Sequence, residues 1–210
     1  TVLLKKVSLI GVSSKYQSAL DHHLTLMESV NLTRILVNRN ADAAKAQDLV
    51  EVAYGIEKKY KTVSCQVLGK KEIEKQKMGL ILAVNQGARQ DPALIILSYK
   101  GDPKSKDVTA FVGKGVTYDT GGLNLKPTGS METMRIDMAG AAAVLGAIQA
   151  AAALGIKKNV IGIIPSVENA IGSGSYKPGD VYISYSGKSV EITNTDAEGR
   201  LILADAISFL

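Results

Sequence analysis

A 19-residue segment from Met138 to Ile156 restricts the folds open to this chain more than any other feature. Its only polar side chain is Gln149, and most of its residues are alanine or glycine. The length approaches that of a membrane-spanning helix, but the segment has few of the large apolar residues that drive membrane insertion. A buried helix that packs closely against a sheet has small residues on all sides. We therefore expect a core helix over 138–156 and no membrane partner.

Short apolar runs alternate with helical patterns along the rest of the chain. Helices are predicted over 18–37 and 47–60, and the sequence Ser186-Gly-Lys188 predicts the turn of a hairpin over 181–193. Alternation of strands and helices is typical of an α/β protein. We expect a mixed sheet that is covered by helices on both faces. The remaining predicted strands lie at 2–10, 62–68, 93–99, 108–113 and 159–165.

The octapeptide Asn194-Thr-Asp-Ala-Glu-Gly-Arg-Leu201 carries two carboxylates and a guanidinium at alternate positions. If this segment is an extended strand, Asp196, Glu198 and Arg200 lie on the same face. Hard divalent cations prefer such clusters of carboxylate oxygens, and an arginine beside them suits a bound anion. A solvated strand edge with alternating charges is the alternative, and the octapeptide alone does not decide between the two.

A glycine-rich segment upstream favours the cation site. The sequence Val112-Gly-Lys-Gly-Val-Thr-Tyr-Asp-Thr-Gly-Gly122 places Lys114 and Asp119 at the end of an apolar run, and Lys126 follows it. Four carboxylates in one cleft would repel one another, and two divalent cations would cancel their charge, as in a two-metal hydrolytic site. Lys126 and Arg200 would then be free to stabilise an oxyanion beside the metals. The four carboxylates are those of Asp119, Asp137, Asp196 and Glu198.

With these residues, the segment 112–210 resembles the catalytic domain of the leucine aminopeptidase family of cytosolic metallopeptidases. The family's functional positions are matched without insertion or deletion at 114, 119, 126, 137, 196, 198 and 200. The resemblance implies that Lys126 and Arg200 are catalytic, and that Arg200 holds a bicarbonate ion serving as general base. It also implies that Met134 lines the pocket for the first substrate side chain and that Lys126 and Asp137 bind substrate. The metal ligands that it implies are Lys114, Asp119, Asp137, Asp196 and Glu198.

The resemblance further implies an activity and a cellular setting. An unblocked peptide would bind with its terminal amine on one metal. A water that bridges two zinc, manganese or magnesium ions would then attack the scissile carbonyl. We expect release of the N-terminal residue, with leucine and similar apolar residues preferred. The family implies a cytoplasmic homo-hexamer that acts on peptides, and we expect the chain to be bacterial.

Two domains are expected. Residues 1–40 resemble the end of a smaller α/β N-terminal domain with its linker helix, and 41–210 resemble the catalytic domain, truncated at its C-terminus. The one cysteine of the chain, Cys65, excludes an internal disulfide and fits a reducing compartment. It lies in an alternating strand pattern, which indicates a packed and inert thiol.

Three alternatives concern the lysines and the kind of substrate. A phosphate-binding loop around Lys114 would require a hydroxyl residue where Gly115 lies. The net charge of +5 is unevenly placed, because residues 1–100 hold 15 Lys and Arg against 9 Asp and Glu (+6), and residues 101–210 hold 10 against 11 (−1). Solvated helix faces explain such lysines, and a nucleic-acid footprint is the alternative, because some bacterial members of the family resemble DNA-binding regulators. A metal-dependent hydrolase of non-peptide amides would also fit the seven metal-ligand and catalytic positions.

Overall fold

The computed structural model describes residues 7–210. Within this range the chain forms a five-stranded mixed sheet, a small hairpin and six α-helices. The helices are α1 (Gln17–Asn38), α2 (Ala46–Lys59), α3 (Lys70–Lys75), α4 (Gly79–Val84), α5 (Ala139–Leu154) and α6 (Glu198–Phe209). The strands are β1 (Val63–Leu68), β2 (Ala93–Lys100), β3 (Val108–Val112), β4 (Gly115–Asp119), β5 (Asn159–Asn169), β6 (Val181–Ile183) and β7 (Ser189–Glu191).

The central strand of the sheet is β5. It pairs antiparallel with β2, which in turn pairs antiparallel with β1. On its other side β5 pairs in parallel with β3 and then with β4, which follow one another along the 11 residues of β5. Helix α5 makes the crossover from β4 to β5 that a parallel pair requires. The predicted mixed sheet is therefore confirmed.

Helices cover both faces of this sheet. Alternate residues of β2 point to opposite faces, so Ile95 and Leu97 belong to a core cluster with α2 and α5, while Leu94 packs with α4 and α6. Helix α1 lies against α5 and contributes the fully buried Leu36 to the first cluster. This arrangement confirms the predicted coverage on both faces.

Small residues of α5 allow the close packing that was predicted for this helix. A Cβ atom at Gly146 would lie 3.0 Å from the carbonyl oxygen of Ser29 in α1, and one at Gly162 in β5 would meet Val144 of α5. The hydroxyl of Thr33 donates to the carbonyl oxygen of Ala142, 3.1 Å away. The segment Met134–Leu154 is apolar and long enough to cross a membrane by length and composition alone, a test that core helices of soluble proteins also pass. Its contacts with β5 and α1 account for that composition.

Most predicted elements agree with the structure to within a few residues, but one prediction fails. The segment 194–201 is not a strand, because it forms a 3₁₀ turn (Thr195–Ala197) that leads into α6. For the predicted strand at 2–10, residues 7–10 have no regular structure, and 2–6 lie outside the described residues. The predicted hairpin is confirmed, since β6 and β7 pair antiparallel.

A buried carboxylate joins α6 to α4 and to the hairpin. Asp205 is fully buried on α6, and its Oδ2 atom accepts hydrogen bonds from the backbone N–H groups of Leu80 (2.9 Å) and Ile81 (3.1 Å). Its Oδ1 atom accepts from the N–H of Tyr185, 2.7 Å away. Asp205 thus satisfies donors at the start of α4 that the helix itself leaves without partners, and it holds the position of α6.

Candidate active site

Asp119 and Asn169 lie side by side at the carboxyl ends of β4 and β5. They are partners in the register of the parallel pair, and their side chains are almost completely buried. Sites of α/β sheets are typically found at these strand ends. The chain then turns sharply through Gly121 and Gly122, which have positive φ angles of 85° and 64°. A side chain at Gly122 would lie 2.9 Å from Oγ1 of Thr195, so only glycine fits there.

Lys114 lies at the break between β3 and β4. Its backbone carbonyl accepts from the N–H of Ala141 at the start of α5, 2.9 Å away. Its Nζ atom lies 2.7 Å from Oδ2 of Asp137 and 2.6 Å from Oε1 of Glu198. Burial lowers the pKa of Lys114, but the two carboxylates outweigh that effect and hold the pKa above its ordinary value.

Lys126 joins the other two carboxylates of the predicted set. Its Nζ atom lies 2.9 Å from Oδ2 of Asp119 and 2.5 Å from Oδ1 of Asp196. Burial lowers the pKa of Lys126, but the hydrogen bonds and charges of Asp196 and Asp119 outweigh it and raise the pKa above its usual range. The N–H of Lys126 donates to the carbonyl oxygen of Thr120, 3.0 Å away, which closes the loop after β4.

The carboxylates of Asp196 and Glu198 converge through a helix start and not through a strand. The Asn194 side chain accepts a hydrogen bond from the N–H of Asp196, 2.8 Å away, and this contact begins the 3₁₀ turn. Glu198 is the first residue of α6 and is only 1% exposed. The positive end of the helix dipole favours a negative charge at this position. The predicted convergence of the two carboxylates is confirmed, although the predicted reason for it is wrong.

The acidic groups form a set that fits divalent cations. Ligand oxygens of Asp119, Asp196 and Glu198 all lie within 4.8 Å of one another. Burial raises the pKa values of Glu198 and Asp137, although Lys114 acts in the opposite direction. Among residues 7–210, Oε2 of Glu198 is buried without a hydrogen-bond partner, while Oε1 faces the Lys114 ammonium, whose Nζ atom lies 2.6 Å away. A buried carboxylate oxygen without a donor, of a type that hard cations prefer, is consistent with a metal ligand.

The other two predicted residues lie at the margin of this cluster. Arg200 is exposed in the first turn of α6, and it forms no ion pair with any described residue. Met134 is half-buried in the 3₁₀ turn (Met134–Ile136) immediately before Asp137. The structure therefore brings together two lysines and four carboxylates, and among the described residues Arg200 forms no ion pair with them.

A hydrogen-bond network beneath the cluster was not predicted from the sequence. The Oγ1 atom of Thr195 donates to the carbonyl oxygen of Gly121 (2.6 Å) and accepts from the N–H of Asn124 (2.8 Å). The hydroxyl of Tyr176 donates to the carbonyl oxygen of Thr195, 2.7 Å away. One signal for the local structure was present, because Thr195 and Glu198 have the Ser/Thr-x-x-Glu spacing of a helix start before an apolar run. The partners across the fold had no local signal.

The fold is a mixed α/β sheet, and its carboxylates gather beyond the carboxyl end of β4, in a position where such sheets typically place their sites. The model of the cytosol aminopeptidase family, catalytic domain, matches residues 31–210. The chain belongs to this family, which confirms the resemblance of the segment 112–210.

Relatives and a solved structure agree with this assignment. The chain is 51% identical over 207 residues to the probable cytosol aminopeptidase of Protochlamydia amoebophila, and it covers 42% of that protein. It is 53% identical over 207 residues to the protein of the same description from Chlamydia trachomatis serovar A, again covering 42% of it. These alignments include 99% and 98% of this chain. The chain therefore spans about two fifths of the length of its curated relatives.

The crystal structure of the cytosol aminopeptidase from Coxiella burnetii, at 1.8 Å resolution, has the same fold. It superposes with a TM-score of 0.85 at 37% sequence identity, and the match covers 94% of this chain and 42% of that one.

Proposed function

We propose that the whole protein is a metal-dependent aminopeptidase that hydrolyses the N-terminal residue from peptides. The observation that carries this proposal is the group of four carboxylates held by only two lysines beside the end of β4. Four negative charges against two positive charges leave a net negative charge, which further cations would balance. Membership of the cytosol aminopeptidase family supports the same chemistry.

Five residues are proposed to hold two divalent cations, which are zinc, manganese or magnesium. When bound, the cations supply Lewis acidity and lower the pKa of a water molecule. Lys114 can serve as a ligand only as the neutral amine, so it must give up the proton that now faces Asp137 and Glu198. The five proposed ligands are Lys114, Asp119, Asp137, Asp196 and Glu198.

Lys126 and Arg200 are proposed to act on the substrate and not on the cations. With cations on the carboxylates, the Lys126 ammonium would be released from Asp119 and Asp196 and could donate to the oxyanion that forms at the scissile carbonyl. The exposed guanidinium of Arg200 is suited to hold a planar anion such as bicarbonate. Held by Arg200, such an anion would supply a general base beside the acidic cluster.

Substrate preference follows from the free amine and from Met134. A peptide with an unblocked amino terminus can place its amine against the acidic cluster, near Asp137, and a blocked peptide cannot. Met134 is proposed to line an apolar pocket for leucine and similar first side chains. The cytoplasmic location, the homo-hexamer and the two domains, 1–40 and 41–210, belong to the same proposal and rest on the resemblance to the family. Nucleic-acid binding remains a prediction that no contact in the described residues tests.

The test combines activity with metal binding in the whole protein. Leucine p-nitroanilide should be hydrolysed with added Mn²⁺, while N-acetyl-leucine p-nitroanilide and simple acyl amides should not be. Titration with Mn²⁺ should saturate at about two ions per chain, because five ligands exceed what one catalytic cation uses.

The Asp119→Ala variant should bind at least one ion more weakly. Asp91→Ala, which removes an exposed carboxylate paired with Lys70, is the control and should bind metal normally. Saturation at one ion with no loss in Asp119→Ala would contradict the two-metal proposal, and cleavage of acyl amides would favour the non-peptide hydrolase.

A further inference from the structure

The two oxygens of the Asp119 carboxylate have different surroundings. Oδ1 accepts two hydrogen bonds, from the N–H of Gly121 (2.9 Å) and from Nδ2 of Asn169 (2.8 Å). Oδ2 faces the cluster, where Nζ of Lys126 lies 2.9 Å away. The carboxylate is therefore fixed with one oxygen turned into the protein and the other turned towards the proposed cations.

The hydrogen bonds of Asn169 determine how its amide is oriented. Its Nδ2 atom donates to two acceptors, Oδ1 of Asp119 and the carbonyl oxygen of Thr195, which lies 3.0 Å away. If the amide were flipped, its oxygen would face both acceptors without a hydrogen between them. The Oδ1 atom of Asn169 is buried and has no hydrogen-bond partner among residues 7–210. A buried amide oxygen without a donor costs free energy, so this orientation of the Asn169 amide is stabilised by the two hydrogen bonds that its Nδ2 atom donates.

The backbone of Asn169 is held just as firmly. Its carbonyl oxygen accepts from both the N–H (3.0 Å) and the hydroxyl (2.8 Å) of Thr120, the residue after Asp119. Through its amide, Asn169 also contacts Thr195, the residue before Asp196. One residue at the end of β5 thus contacts two of the segments that carry proposed metal ligands, the one with Asp119 and the one with Asp196.

We propose that Asn169 is a positioning residue that orients the Asp119 carboxylate, so that Oδ2 is presented to a divalent cation at a fixed place relative to Asp196. This inference rests on the proposed function, because it assumes that Asp119 binds a cation. Groups that orient metal ligands from behind typically change metal affinity or activity by about 10- to 100-fold when they are removed. Asn169 acts through Asp119 and contacts no cation itself.

The experiment measures Mn²⁺ affinity and unfolding in the whole protein. Asn169→Ala removes the donor, and Asn169→Ser is a milder variant whose hydroxyl is too short to reach Asp119 but leaves room for a water. Tyr176→Phe is the matched control, because it removes a buried hydrogen bond to the same Thr195 carbonyl oxygen (2.7 Å) without touching the Asp119 carboxylate. Mn²⁺ binding is followed by calorimetry, and folding by circular dichroism and urea unfolding.

Both Asn169 variants should lose at least about tenfold in Mn²⁺ affinity, while Tyr176→Phe should lose stability and keep its affinity. Equal Mn²⁺ affinities in the Asn169 variants and the control would overturn the positioning role and leave the proposed function standing. Failure of both Asn169 variants to fold would also overturn it, because Asn169 would then serve the fold alone. A wild-type protein that binds no Mn²⁺ would overturn the proposed function itself.

Discussion

The side chain of Lys114 passes so close to Gly199 that a Cβ atom at Gly199 would lie 2.7 Å from Cε of the lysine. Gly199 is the second residue of α6, directly after Glu198. Position 199 cannot carry a side chain unless the lysine moves. The position of the Lys114 amine therefore depends on the start of α6. The Lys114 Nζ atom reaches Glu198 and Asp137 only because this space is left open.

Gly199→Ala should therefore weaken metal binding without unfolding the protein. The added methyl group displaces the Lys114 side chain, and we expect a loss of about tenfold or more in Mn²⁺ affinity, as for other disturbed ligand shells. Alanine is a better helix former than glycine by about 1 kcal/mol, so the free energy of unfolding should not fall. Gly55→Ala in α2, where a Cβ atom meets nothing within 4 Å, is the matched control. Wild-type Mn²⁺ affinity in Gly199→Ala would contradict the coupling of the Lys114 amine to the start of α6.

Lys126→Ala and Arg200→Ala should separate chemistry from metal binding. Each should lower kcat for leucine p-nitroanilide by about a hundredfold or more, as expected for a lost oxyanion donor or anion-binding group. Metal content, measured by mass spectrometry, should remain at the wild-type level, because removing the Lys126 ammonium only frees Asp119 and Asp196. The exposed Lys71→Ala serves as a control for loss of a lysine. A metal-free variant, or one with full turnover, would contradict the role assigned to that residue.

Asp205→Ala should destabilise the fold, although Asp205 is not one of the proposed site residues. It leaves three backbone N–H groups without their acceptor, and each buried donor without a partner costs about 1–3 kcal/mol. We expect urea unfolding to show a loss of at least about 2 kcal/mol, compared with almost none for the exposed Ser208→Ala on the same helix. A change as small as that of Ser208→Ala would mean that water replaces the carboxylate.

Cys65 should make stability fall in alkaline solution. Burial, with a smaller contribution from the Glu57 carboxylate, raises the pKa of the thiol from 9.0 to about 11 in the folded protein. Between these values the unfolded chain loses the proton that the folded chain retains, so the free energy of unfolding decreases as pH rises from 9.0 to about 11. Cys65→Ala should show a smaller decrease over the same range. Fast reaction of the native thiol with a disulfide reagent at pH 8 would contradict the raised pKa.

Much of the secondary structure and the mixed sheet could be predicted because local patterns are sufficient for them. The small apolar residues of 138–156 indicated a tightly packed helix, and the packing of Gly146 against α1 is of that kind. The segment 194–201 was misread because alternating charges suit a strand as well as a helix start. The side chain of Asn194, which binds the N–H of Asp196, decides in favour of the turn. The pattern of Thr195 and Glu198 was the signal that could have corrected the prediction.

The amino-acid sequence by itself determined which carboxylates and lysines are available for chemistry, since their spacing matches one family. Only the tertiary structure decided how they are paired, with Lys114 between Asp137 and Glu198 and Lys126 between Asp119 and Asp196. It also placed Asn169 beside Asp119, 50 residues away along the chain. The physical reason is that such contacts depend on the register of β4 against β5 and on the α5 crossover between them. Local periodicity carries no information about either.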